Sequence, residues 1–422
     1  EKVVEKVVEV TAKPVEKARI RILTRPHSDE GVLAFPQLID DHFEVEHPGI
    51  KVDVELEASG WEEKLVTAMI AGTADDVFVA WPAIFFKFVE RGLVLDIQPY
   101  VDQNLSAEEI SDYIEAQWEA LFMRGIRCAM PKYIDMRLDT INLDLFDEAG
   151  VDYPPKDGDW DYNDYEEMAA KLTRDRSGDG KIDVWGTWIE RGGWFFWPRM
   201  FGGGIVNPDD DTDCWLDSPG SLECYNWIYH NQWEREPNIF IQDAQGGGWY
   251  DGLVSQLIAM DEMGLYPAKN VEKLGDLFRW DYRQPPKGPV SRCSLGDADG
   301  WAIWKGTKHP DAAWELIHFL SSPLFQEMGT LRAEGAVPIR KSLMPVMIDV
   351  FREEWPVMKD VYLQVIPDMI DAGYLSNVYW FKNHVEAMEI IDPAMEAVFG
   401  VGEKDPSYFK EISEKVEATQ KG

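Results

Sequence analysis

The sequence predicts an α/β protein of two domains, the first a doubly wound lobe, and three observations carry that prediction. The chain has 422 residues, beyond the size at which single hydrophobic cores stop growing, so two domains are expected. Residues 18–80 read strand, helix, strand, helix, strand, the order of a doubly wound lobe. A further strand and helix recur far down the chain, in 294–323, SLGDADGWAIWKGTKHPDAAWELIHFLSSP.

Each element has its own residues behind it. Ile20, Ile22 and Thr24 alternate with Arg19, Arg21 and Leu23 in a first strand, and a helix from about Gly31 carries Leu38, Ile39 and Phe43. Ile50, Val52, Val54 and Leu56 give a second strand. Trp61 to Gly72 forms the next helix, with Leu65 and Met69 inward, and Asp75 to Ala80 the third strand. Ligands of open α/β sheets sit off the carboxyl ends of the strands. Arg25, Trp61 and Trp81 follow those ends and are the first candidate ligand-binding residues. In the late stretch, Gly296-Asp297-Ala298-Asp299-Gly300 reads as an acidic turn and Trp301 to Trp304 as a buried strand. Pro310 opens a helix with Ala313, Leu316, Ile317 and Leu320 on one apolar face.

The charge balance narrows the function classes. With 41 Lys+Arg against 77 Asp+Glu the net charge is −36. That field repels nucleic acid, whose binding depends on Lys and Arg neutralising phosphates, and it disfavours anionic lipid and anionic ligands. No stretch reaches the ~20 apolar residues needed to span a bilayer. Residues 1–17, EKVVEKVVEVTAKPVEK, form a charged low-complexity run expected to be a disordered tether.

Three local motifs stand out. Asp175, Ser177, Asp179, Lys181 and Asp183 occupy positions 1, 3, 5, 7 and 9 of a calcium-type loop, with Gly180 at position 6. Position 12, which should be a bidentate Glu, is Gly186, so a structural calcium and a plain glycine-rich turn are the two readings. Cys214 and Cys224 bracket the turn-rich WLDSPGSLE and are candidates for a small disulfide loop in an oxidising compartment. Arg191-Gly192-Gly193-Trp194-Phe195-Phe196-Trp197-Pro198 is the densest aromatic cluster in the chain. No H-E-x-x-H, G-x-S-x-G or P-loop signature appears.

Together, FEVEHPGIKVDVEL, WEEKLVTAMIAGTADDVFV, FVERGLVLDIQPYVD, the 294–323 stretch and EGAVPIRKSL closely resemble the extracellular solute-binding proteins, family 1. These are the maltose-binding-protein-like, sugar-capturing components of bacterial ABC importers. The resemblance runs from about residue 18 to near the end. It implies a periplasmic-binding-protein-like (type II) fold, two doubly wound α/β lobes joined by a multi-crossing hinge with the ligand cleft between them. It places 18–131 and 286–335 in lobe 1, and 132–285 and 336–422 in lobe 2. Tyr133 and Asp135 would face the cleft after the first crossing. Trp194 and Trp197 would be the stacking platform of lobe 2, with core packing as the other reading of such aromatics. Asp261, Asp297, Trp301 and Trp380 complete the implied ligand set, and Cys128 and Cys293 would lie near the crossing strands as a second disulfide. The acidic Asp297 and Asp299 depart from the glycines usual in that turn.

The implied function is capture of a neutral sugar or oligosaccharide by a monomer that delivers it to an ABC permease. No cofactor is expected. The location would be extracellular or periplasmic, with anchoring through an N-terminal lipid. The competing class is a glycoside hydrolase, which needs two carboxylates about 5–9.5 Å apart beside aromatic subsites. With 77 acidic residues such a pair is easy to find by chance, and the segment order favours capture.

Overall fold

The computed structural model describes residues 17–25, 28–56, 60–189, 191–241, 251–264, 274–275, 277–376 and 379–421. Except for Lys17, the expected N-terminal tether lies outside them. The first lobe opens with β1 (Ala18–Thr24), α1 (Asp29–Leu38), β2 (Ile50–Leu56), α2 (Trp61–Ala71), β3 (Val77–Ala80) and α3 (Pro82–Glu90). The alternation behind β1 is real, since Ile20 and Ile22 are fully buried. β2 is an edge strand, its Lys51, Asp53 and Glu55 exposed. β1 pairs in parallel with β2 and with β3, and β3 is buried along its whole length as an inner strand should be.

A two-residue hairpin, β4 (Phe122–Met123) and β5 (Ile126–Arg127), leads into the long strand β6 (Met130–Asn142). The second lobe then adds α4 (Leu143–Ala149), α5 (Tyr162–Leu172), β7 (Trp185–Trp188) and α6 (Gly193–Met200). After these come β8 (Val206–Asn207), β9 (Asp210–Cys214) and α7 (Pro219–Tyr229). β10 (Ile258–Gly264) and β11 (Trp280–Arg283) both run antiparallel to β6. The chain returns through β12 (Ser294–Ile303) and the amphipathic α8 (Pro310–Leu320), which buries the four apolar residues expected of it. α9 (Met344–Glu354), β13 (Leu375–Ser376), α10 (His384–Met395) and α11 (Phe409–Gln420) complete the chain.

The strand order β2-β1-β3-β12-β6-β10-β7 makes the hinge visible. β2, β1 and β3 belong to one lobe and β10 and β7 to the other, while β12 and β6 form the antiparallel ladder between them. The residues read as an acidic turn at 296–300 are therefore strand. They are paired on one side to β6, from Gly296 to Trp301, and on the other to β3, from Gly300 to Ile303. A third segment joins them, as Ile134 N–H donates to Val337 O at 3.1 Å.

Two large apolar clusters mark the lobes. Ile20, Phe35, Phe43, Val79, Trp301 and Trp314 belong to the first, and Phe146, Tyr165, Trp194, Trp197, Tyr225 and Phe399 to the second. A smaller cluster under α2 and α3 includes Trp61, Phe78, Phe85 and Cys128. The stretch after residue 335 divides between the two clusters. Met344, Met347, Phe351, Met358 and Ile366 join the first cluster, whereas Phe381 and the apolar faces of α10 and α11 join the second. Among the described residues no helix is long and apolar enough to cross a membrane.

All four cysteines are buried free thiols, which corrects both expected disulfides. Cys128 packs in the cluster under α3 and its Sγ donates to Leu121 O, while Cys293 packs in the second-lobe cluster and donates to Phe196 O. They serve different cores. Cys214 ends β9, which packs on α11, and Cys224 lies on the buried face of α7. Burial pushes the thiols of Cys128 and Cys293 up to about 12 and that of Cys214 to about 11, so none is a ready nucleophile.

The calcium-type loop is closed by its own backbone. Asp175 accepts from the N–H groups of Gly178, Asp179 and Gly180 and from the Ser177 hydroxyl. Asp179 accepts from Lys181 N–H, and Asp183 from the N–H groups of Arg176 and Ser177. Among the described residues no three His, Cys, Asp or Glu side chains are grouped to hold a metal ion. Gly186 has a packing reason to be glycine, because a Cβ there would lie 2.2 Å from Ala169 Cα on α5.

Candidate functional site: a charged aromatic cluster beside the hinge ladder

Arg25, Trp61 and Trp81 are brought together as the strand-end argument expects. Each follows a strand of the first lobe: Arg25 leaves β1, Trp61 opens α2 after β2, and Trp81 stands between β3 and α3. The Arg25 guanidinium carbon lies 4.8 Å from the ring centroid of Trp81 and 6.0 Å from that of Trp61. The two indoles meet edge to face, 5.5 Å apart at 77°. A cation over an indole face is attracted by the ring quadrupole, worth ~0.5–2 kcal/mol according to exposure. The third partner is Asp299, whose Oδ2 is 3.5 Å from Arg25 Nη2. Asp299 therefore neutralises the guanidinium within the site.

Asp299 comes from the hinge itself. The ladder sets Asp299 opposite Tyr133 and Asp297 opposite Asp135, so residues from both crossing strands stand in register beside the first-lobe cluster. Tyr133 is buried. The side chains of Asp135 and Asp297 lie outside the described residues. Between Asp299 and Gly300 the register shifts by one residue, which leaves Lys132 as the extra residue of a β-bulge. Bulges re-aim a side chain, often next to a functional site. Lys132 Nζ lies 3.2 Å from Glu334 Oε2 on the third crossing, and 5.3 Å from the ring centroids of both Tyr133 and Trp301. Burial raises the Glu334 carboxyl above its ordinary range, with Lys132 pulling it back. The Thr24 hydroxyl, at the end of β1, is buried and makes no hydrogen bond among the described residues.

The other expected positions fall elsewhere. Trp301 is fully buried, 5.5 Å from Phe35 in the first-lobe core, so it offers no face to a ligand. Trp194 and Trp197 are also at 0% exposure. Trp194 packs on Phe399, while Trp197 stacks on Trp227 and donates Nε1–H to Glu262 Oε2 at 2.5 Å. They are core because 193–200 is a helix whose Gly193, Phe196, Trp197 and Met200 share one face. Asp261 is buried in β10, its carboxyl pushed up to about 7 by desolvation with Arg137 opposing. Neighbouring Glu262 rises to about 8 for the same reason. Trp380, half-buried, crosses to the first lobe and stacks on Phe86 of α3, 5.0 Å away at 20°, in the cluster that holds Trp61.

Lys132 and Glu334 were not among the residues singled out as ligands, whereas Asp299 had been marked with Asp297 as an acidic departure able to accept from hydroxyls. The signals lay in the sequence, as a lysine and a glutamate inside otherwise apolar crossing segments, MPKYI and EGAVP.

Two α/β lobes joined by a three-segment hinge, with a polar and aromatic cluster beside it, define a hinged binding protein. Residues 26–327 match the family described as bacterial extracellular solute-binding protein, and the chain belongs to that family. A putative binding protein of Brucella abortus is 22% identical over 390 residues, which is 90% of this chain and 88% of that protein. An ABC substrate-binding protein from Listeria monocytogenes, solved in complex with cycloalternan, superposes with a TM-score of 0.76 at 21% identity, covering 96% and 99% of the two chains. The sugar-binding protein MalE from Xanthomonas citri gives 0.72 at 20% identity, covering 95% and 97%.

Proposed function

We propose that this chain is the substrate-binding component of an ABC importer, and that it captures a neutral sugar or oligosaccharide by closing its lobes and passes it intact to the permease. The observation that carries this reading is the Arg25, Trp61, Trp81 and Asp299 cluster beside the β6–β12 ladder. The half-buried Trp81, with buried Trp61 packed edge to face against it, offers an indole that suits the C–H face of a pyranose ring, and a carboxylate and a guanidinium suit vicinal hydroxyls. Arg25 is neutralised by Asp299 and the chain carries −36, which favours an uncharged ligand over an anionic one. The sugar ligand of the Listeria protein and the sugar-binding description of the Xanthomonas protein agree with this class. In this reading the chain acts as a monomer outside the cytoplasmic membrane, tethered through residues 1–17 to a lipid, and performs no catalysis.

The test is native mass spectrometry after overnight incubation with a mixture of neutral oligosaccharides. One intact sugar per chain is expected, with the adduct lost in Trp81→Ala. Shortened sugars that accumulate only with the protein would overturn the reading and favour a hydrolase.

A further inference from the structure

The tip of the β4–β5 hairpin is a two-residue turn with left-handed backbone at both positions, Arg124 at φ 51° and Gly125 at φ 79°. Such turns favour Asn, Asp or Gly first, because a Cβ is strained at positive φ. Arginine is a poor choice for the turn, so its side chain must repay the strain. It reaches from one lobe to the other. Within its own lobe, Nε donates to Glu90 on α3 at 2.8 Å, and the guanidinium lies 4.9 Å from the Phe86 ring centroid. Across the gap, Nη1 donates to Asp211 on β9 at 2.7 Å, and Nη2 to the carbonyls of Phe381 and Lys382 at 2.7 and 2.9 Å. Trp380 and His384 close on Phe86 from the same side. The hairpin leads directly into the hinge strand β6, and its partner helix α3 is the one that Trp81 precedes.

We propose that Arg124 is an inter-lobe clasp that biases the ligand-free chain towards closure and so sets ligand affinity without touching ligand. Glu90 and the Phe86 ring orient the guanidinium, and Asp211 with the two carbonyls receive it only when the lobes meet. Opening breaks three charge-assisted hydrogen bonds and uncovers the Phe86–Trp380 stack. A protein whose competent state is more populated binds more tightly by that same factor.

The inference rests on the hinged-capture reading, but its test needs no sugar, so the two fail separately. Single-molecule energy transfer between dyes on Ile70→Cys and Val401→Cys, exposed positions on the two lobes, reads the closed-to-open ratio of the ligand-free protein. The native thiols are buried and escape labelling under native conditions. Arg124→Asn suits the turn and removes the clasp. It is expected to shift the ratio towards open about tenfold, or about 1.4 kcal/mol. Asp211→Asn, which leaves the hairpin intact, is expected to shift it about threefold. High salt should mimic Asp211→Asn, because the pair is partly exposed and is screened. Unchanged distance distributions in both variants overturn the proposal. Should Arg124→Asn melt early by circular dichroism, Asp211→Asn alone decides.

Discussion

The ion pair beneath the candidate site allows a sharp stability prediction. Lys132 is at 0% side-chain exposure and Glu334 at 4%, with 3.2 Å between their charged atoms. Replacing Lys132 by Met keeps the stem's volume but leaves a buried carboxylate without its counter-charge. Breaking a buried pair in this way costs about 3–5 kcal/mol. At about 2–4 °C per kcal/mol for a unit of 150–250 residues, the melting temperature should fall by roughly 6–20 °C. The loss should depend on pH, with a definite sign. Burial already raises the Glu334 carboxyl above its ordinary value and Lys132 is the main opposing cause. Without Lys132 it rises further, so the folded variant takes up a proton that the unfolded chain releases. The destabilisation is then small near the carboxylate range and grows as pH rises to 8. Replacing both residues, Lys132→Met with Glu334→Leu, should recover most of the loss, because no charge is left buried. Calorimetric melts of the wild type, both single variants and the double variant at pH 5 and pH 8 test this. Additive single effects below about 1 kcal/mol, or equal losses at the two pH values, would refute the reasoning.

Three further outcomes follow from the same structure. Asp261→Asn should stabilise the protein at pH 8 and change little at pH 4. The native carboxyl titrates at about 7 when folded but near 3.8 when unfolded, so wild-type stability falls as pH rises through that window, by about 4 kcal/mol at 1.36 kcal/mol per pH unit. The check is urea denaturation at both pH values. Gly186→Ala forces a methyl to 2.2 Å from Ala169 Cα and should cost about 3 kcal/mol by overpacking, read as a fall in melting temperature whether or not calcium is added. Thiol titration should find the four cysteines slow to react when native and fully reactive in denaturant without reductant. Fewer reactive groups in denaturant would restore a disulfide.

Much of the fold was legible because its signals are local. Ile20 and Ile22 alternate with charged neighbours, and Ala313, Leu316, Ile317 and Leu320 repeat at helical spacing, and each pattern became the expected element. The strand-end rule likewise selected Arg25, Trp61 and Trp81, because in a doubly wound lobe chain order alone says which residues follow the carboxyl ends. Other features depended on partners distant in sequence. Gly296 to Gly300 carries glycine and aspartate, which locally favour a turn, yet two neighbouring strands supply hydrogen bonds that hold it extended. Trp194 and Trp197 resemble a stacking platform in composition, and only the packing of α6 against Trp227 and Phe399 makes them core.

By itself, then, the sequence determined the α/β class, the acidic surface and the strand-end residues Arg25, Trp61 and Trp81, all properties of periodicity, order and charge along the chain, while its resemblance to a family implied the two lobes. The tertiary structure decided which tryptophans are buried, that the cysteines stay apart, and that Asp299, Lys132 and Glu334 meet beside the hinge. Those facts depend on contacts between residues as much as 305 positions apart, such as Ser28 with Ala333, and burial and pairing at that range are set by packing, which no local pattern encodes.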